Sequence, residues 1–129
     1  MGVGDINGDA KMDVVLLDLQ GVPTIDLLLG NGSGGFTYEQ SIQSYVNPSY
    51  LDLLYLRDLN GDGHPDILVT DPLGADFRVY LGNGNGTFSA ATTYSAGTAA
   101  GPFLLADVDR DGHPDVVTVY YEAPYQLGY

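Results

Sequence analysis

The sequence contains no cysteine. Disulfides, zinc–thiolate sites and cysteine nucleophiles are therefore excluded. Basic residues are scarce: four Lys and Arg stand against 17 Asp and Glu, for a formal charge of −13. Phosphate recognition needs clusters of Lys and Arg, so nucleic acid and anionic membrane surfaces are excluded as partners. Glutamate is nearly missing too, with two Glu beside 15 Asp. Aspartate suits turns and loops better than helices. Eighteen Gly and seven Pro point the same way, against an all-helical protein. No apolar run approaches the roughly 20 residues of a membrane span, so no membrane insertion is expected. Residues 1–9 lack the basic start and apolar stretch of a signal peptide. No window of 11 or more residues carries a convincing helical period.

What is present is a chain of 129 residues, 44% hydrophobic, the size of one ordinary domain. It repeats itself. Asp5-Ile-Asn7-Gly-Asp9-Ala-Lys11-Met-Asp13 aligns with Asp58-Leu-Asn60-Gly-Asp62-Gly-His64-Pro-Asp66 and with Asp107-Val-Asp109-Arg-Asp111-Gly-His113-Pro-Asp115. The first residues lie 53 and 49 positions apart. Each loop leads into an apolar run at 14–17, 67–69 or 116–119. A second element recurs as well: Leu28-Leu-Gly-Asn-Gly-Ser-Gly-Gly-Phe36 matches Tyr80-Leu-Gly-Asn-Gly-Asn-Gly-Thr-Phe88.

One full unit reads as four short strands, near 50–57, 66–70, 77–81 and 87–94. Asn-Gly between apolar runs signals a hairpin. The second strand is apolar without alternation, as a strand covered on both faces would be. A period of about 50 residues with four strands per unit implies β-propeller blades. The expected fold is all-β, an incomplete propeller of four-stranded antiparallel blades. Its blades span residues 1–46 in part, 47–96 in full and 97–129 in part. A propeller closes with about four to eight blades. Either this chain belongs to a longer array, or it is a homo-oligomer whose copies complete a ring.

The Asp spacing carries chemistry. Side-chain oxygens stand at the first, third, fifth and ninth loop positions, with a backbone carbonyl available at the seventh. Calcium takes about six to eight oxygen ligands, and loops of alternating donors supply them. Gly63 and Gly112 permit the sharp turn at the sixth position, where Ala10 is expected to be strained. The third loop offers four carboxylates and the others three each. Affinity is therefore expected to fall from loop three to loop two to loop one. An EF-hand is excluded, because Leu16, Val69 and Thr118 stand where its bidentate Glu belongs.

The Asp loop, the apolar strand and the Gly/Phe turn together resemble the FG-GAP/VCBS repeat of integrin-α-like β-propellers. That resemblance implies up to three calcium ions. They would be held by Asp58, Asn60, Asp62, the His64 carbonyl and Asp66; by Asp107, Asp109, Asp111, the His113 carbonyl and Asp115; and less surely by Asp5, Asn7, Asp9, the Lys11 carbonyl and Asp13. It also implies an extracellular, periplasmic or cell-surface setting. The expected role is a non-catalytic module for protein or glycan recognition. The alternative is the propeller segment of a calcium-dependent polysaccharide lyase or phospholipase-type enzyme. No catalytic residue is expected: His64 and His113 both lie inside the loops, where only a carbonyl is needed. Gly30-x-Gly32-x-x-Gly35 has the letters of a dinucleotide fingerprint, but it leads into a strand rather than a helix and reads as a turn. Tyr120, Tyr121, Tyr125 and Tyr129 could stack on sugars, though blade packing explains them better.

Overall fold

The structure is a computed structural model, and it describes residues 1–44, 54–71, 76–96 and 100–120. All ten of the elements formed by these residues are strands. The first sheet holds β1 (Gly2–Gly4), β2 (Asp13–Asp18), β3 (Thr24–Gly30) and β4 (Phe36–Gln43), in that order and antiparallel throughout. The second holds β5 (Leu54–Arg57), β6 (Asp66–Asp71), β7 (Asp76–Tyr80) and β8 (Thr92–Ser95), in the same order. The third pairs β9 (Ala100–Ala106) with β10 (Asp115–Tyr120). These are the propeller-like blades the repeat predicts, and the first begins with the short β1. The proposed blade boundaries near 46 and 96, the strand start at 50–53, and Tyr121, Tyr125 and Tyr129 lie at or beyond the edge of the described residues.

The blades stack face to face, and the period-2 alternation of each strand decides which blade a side chain meets. Ile67, Val69, Leu54 and Tyr80 leave one face of the second blade and pack on Ile6, Val15, Ile25 and Leu27 of the first. Leu68 and Thr70 leave the opposite face. On that side Phe77 stands edge-on to Phe103 of the third blade, with ring centres 5.9 Å apart. The Tyr55 hydroxyl donates to the Phe103 carbonyl at 2.7 Å. Every residue of β6 is therefore buried, which is why its sequence shows no alternation. At about 25 cal/mol per Å² of apolar area, packing on both faces makes this strand the centre of stability.

One strand departs from expectation. Residues 87–94 were to form a continuous fourth strand, but only an isolated bridge joins Gly82 to Phe88, and β8 starts at Thr92. The Ser89 hydroxyl accepts the Leu81 N–H at 2.9 Å, in place of a ladder carbonyl. Such local side-chain bonds compete with strand pairing. In the first blade Thr37 takes this place and pairs with Leu29, and β4 runs from Phe36 to Gln43 with one bulge.

Candidate metal centre

Each Asp loop connects the first two strands of a blade and folds on its own side chains. The first-position carboxylate caps the turn. Asp5 accepts the N–H groups of Gly8 and Ala10, Asp58 those of Gly61 and Gly63, and Asp107 those of Arg110 and Gly112. The third position forms an Asx-turn: Asn7, Asn60 and Asp109 accept from Asp9, Asp62 and Asp111. The fifth repeats it one step on, with Asp9, Asp62 and Asp111 accepting from Lys11, His64 and His113. Asx-turns of this kind bend the chain locally, and two in succession wrap it around one centre.

The ninth position does something the spacing did not reveal. Asp13 is fully buried. Its Oδ2 accepts the Ile6 N–H at 3.0 Å and its Oδ1 accepts the Gly30 N–H at 2.8 Å. Asp66 does the same with Leu59 and Gly82, both at 2.8 Å. This carboxylate therefore clamps the Asp loop to the Leu-Gly-Asn-Gly turn of the same blade. Asp115 accepts the Val108 N–H at 2.9 Å. The recurrence of the two elements at fixed separation was the one sequence signal for the clamp. A second unforeseen contact involves the seventh position. The His64 ring lies against Gly84, and the His113 ring lies against Gly61 of the preceding blade, so that a Cβ at either glycine would collide with it.

The three loops differ in what surrounds their carboxylates. In loop one the Lys11 ammonium holds Asp9 Oδ2 at 2.8 Å. This contact holds the Asp9 carboxyl below its ordinary value and raises Lys11. In loop two the Asn60 amide donates to Asp62 Oδ2 at 2.9 Å. The His64 N–H, with that amide, holds the Asp62 carboxyl below its ordinary value. In loop three Asp107, Asp109 and Asp115 bring one carboxylate oxygen each within 4.8 Å of one another. Among the described residues this is the one group of three acidic side chains so convergent. Oxygens that close, on a short and mostly exposed loop, suit a hard divalent cation.

The FG-GAP-like repeat profile matches residues 5–69 and again residues 58–118. The chain belongs to the FG-GAP-like repeat family. Each match starts at the first Asp of a loop and ends in the strand that directly follows the next loop. The repeat is thus counted from loop to loop, and the segment from Asp58 to Val69 is shared by both matches. No curated protein and no solved structure matches the chain.

Proposed function

We propose that this FG-GAP-like chain is a calcium-binding, non-catalytic propeller module of an extracellular or surface protein, presenting its blade edges and loops to a protein or glycan. The observation that carries the calcium reading is the convergence of Asp107, Asp109 and Asp115. Asp111 and the His113 carbonyl stand on the same loop and complete an all-oxygen donor set. Loops one and two repeat the donor spacing as Asp5, Asn7, Asp9, the Lys11 carbonyl and Asp13, and as Asp58, Asn60, Asp62, the His64 carbonyl and Asp66, with Asp13 and Asp66 each accepting two backbone N–H groups in the absence of an ion. There a resident N–H donor already satisfies the fifth-position carboxylate. A cation must displace that donor first, so loop three binds first. The bound ion would neutralise crowded carboxylates and fix the hairpin that orients each blade.

The non-catalytic reading rests on how the polar residues are used. The loop carboxylates hold backbone N–H groups, and the two imidazoles pack on glycines. Arg78 donates to the Ser44 carbonyl at 3.3 Å, a contact that ties the second blade to the first. Calorimetric titration tests the metal. Calcium is expected to bind at extracellular, millimolar-range concentrations, and Asp109→Ala is expected to remove the tightest site while leaving the fold. Heat-silent titration with no fluorescence or stability change at any loop would end the calcium reading.

A further inference from the structure

Five of the six asparagines precede a glycine: Asn7, Asn31, Asn60, Asn83 and Asn85. Such a step carries chemistry of its own. The glycine nitrogen can attack the asparagine Cγ, because glycine lets the backbone approach closely. Two conditions favour the attack. The glycine N–H must be free to lose its proton. The side-chain oxygen must find donors for the charge it takes on, as in an oxyanion hole.

The fold sorts the five steps. The Gly8 and Gly61 N–H groups are held by the Asp5 and Asp58 carboxylates, at 2.8 and 2.7 Å. The Gly86 N–H is held by the Ile6 carbonyl at 2.9 Å. Among the described residues, the Gly32 and Gly84 N–H groups meet no acceptor. These two glycines are repeat equivalents, and loop one lies against the Gly84 carbonyl without engaging its N–H. The free N–H therefore belongs to the turn itself. The side-chain oxygens separate the pair. Asn31 Oδ1 accepts the Ser33 N–H at 2.8 Å, the Ser33 hydroxyl at 2.9 Å and the Gly35 N–H at 3.0 Å. Among the described residues, Asn7 and Asn60 accept from one donor each and Asn85 from two. Asn83 instead donates its amide to Thr87 Oγ1 at 2.9 Å. Asn31 is also exposed, so water reaches it.

We propose that Asn31 is a self-modification site, at which the turn promotes hydrolysis of its own side-chain amide. The co-reactants are hydroxide and water from the solvent. Hydroxide takes the Gly32 N–H proton. The nitrogen pair bonds to Asn31 Cγ, and the carbonyl π pair moves onto Oδ1, where the Ser33 and Gly35 donors hold it. That pair then returns, the Cγ–Nδ2 bond breaks, and Nδ2 leaves as ammonia with a proton from water, which restores the hydroxide. A cyclic imide remains. Water adds to either imide carbonyl and opens the ring, to aspartate or to isoaspartate. The net change consumes water and releases ammonia. The aspartate keeps an acceptor for all three donors. The isoaspartate lengthens the main chain inside a turn that the Asn31 N–H and the Gly35 carbonyl close at 2.9 Å. Gly30, at the entry to that turn, gives its N–H to the buried Asp13. The isoaspartyl product is therefore expected to loosen the first blade.

Mass spectrometry of the whole chain, aged at neutral pH in chelator and then digested, tests the proposal without any metal. Asn31 is expected to convert first, Asn83 next, and Asn7, Asn60 and Asn85 last. Aspartate and isoaspartate are both expected at residue 31, each carrying heavy oxygen when the chain is aged in heavy-oxygen water. Ser33→Ala removes one donor at an exposed site. It is expected to slow conversion of Asn31 by about 2- to 10-fold, the rate equivalent of one ordinary hydrogen bond. Ser33→Thr keeps the hydroxyl and is expected to keep the rate, since Thr87 makes the same two bonds to Asn85. Circular dichroism checks that both variants fold. In urea the five sites are expected to react at similar rates, because only the folded turns distinguish them. An Asn31 that reacts no faster than Asn85 in the folded chain overturns the proposal. So does an Asn31 that keeps its full lead in urea, or a folded Ser33→Ala variant with an unchanged rate.

Discussion

Among the described residues, Ala10 and Arg110 are the two other than glycine with positive φ, at 64° and 67°. Ala10 holds the sixth loop position, where Gly63 and Gly112 sit at 87° and 93°. Arg110 holds the fourth, where Gly8 and Gly61 both sit at 79°. A left-handed conformation costs a residue with a Cβ roughly 1–2 kcal/mol. Glycine loses part of that gain through its freer unfolded chain, about 0.4–1 kcal/mol. Ala10→Gly is therefore expected to stabilise the protein by about 0.5–1 kcal/mol in chelator, measured by urea unfolding. Arg110→Gly is expected to act in the same direction. A loss of stability in both would mean that the loops do not hold this conformation in solution. The strain at Ala10 was legible in the sequence because the aligned loops carry glycine there. That at Arg110 is equally readable, because Gly8 and Gly61 hold the fourth position in the other two loops. Lys11 shows the same kind of competition in electrostatic form. Its ammonium occupies Asp9 before any ion does. Lys11→Met frees that carboxylate, so calcium binding at loop one is expected to tighten, seen as an added or sharper step in calorimetric titration. An unchanged titration would place Asp9 outside the site.

At the scale of the element, the loop and the Gly/Asn turn of one blade behave as a single unit. A Cβ at Gly82 would lie 2.2 Å from the Pro65 carbonyl oxygen, and one at Gly30 would lie 2.0 Å from that of Met12. Both glycines also give their N–H groups to the buried ninth-position Asp. Gly82→Ala must push the turn off the loop and loosen that bond. It is expected to cost about 2–3 kcal/mol, the range of overpacking joined to a weakened buried hydrogen bond. Asp66→Asn removes one of two acceptors and turns an amide N–H toward a backbone N–H. A loss of about 3 kcal/mol is expected by urea unfolding, since an orphaned buried donor beside a lost charged acceptor exceeds an ordinary bond. A cost under about 0.5 kcal/mol for either would remove the clamp from the account of the fold. Strand identity was readable from hairpin turns and apolar runs, and the buried β6 from its missing alternation. The clamp was not, because a carboxylate in a motif of carboxylates looks like one more ligand. Only the folded structure separates an Asp hydrogen-bonded within its loop from one that also reaches the Gly/Asn turn of its blade. The break before β8 was hidden for a related reason: a single serine hydroxyl can replace a ladder carbonyl without altering the hydrophobic pattern.

At the scale of the molecule, the acidity and the stacking of blades oppose each other. Ten of the 15 Asp residues sit in three short loops, all joining the first two strands of their blades. In the free protein these loops are held by backbone N–H groups, which stabilise each carboxylate but leave its charge in place. Three divalent ions would bring the formal charge from −13 to −7. A ligand that binds the folded state alone stabilises it by about 2.7 kcal/mol when present at 100 times its Kd. For a chain of this size, 1 kcal/mol moves the midpoint by a few degrees. The thermal midpoint is therefore expected to rise by roughly 5–10 °C between excess EDTA and about 5 mM calcium, per site saturated to that degree. Sodium chloride offers the control, because screening also relieves repulsion between exposed carboxylates. If the ions act by coordination, calcium raises the midpoint far more than sodium chloride of matched ionic strength, and Asp109→Ala removes the largest part of the difference. If calcium and sodium chloride act alike at equal ionic strength, the loops are acidic turns, and the blades stack without metal.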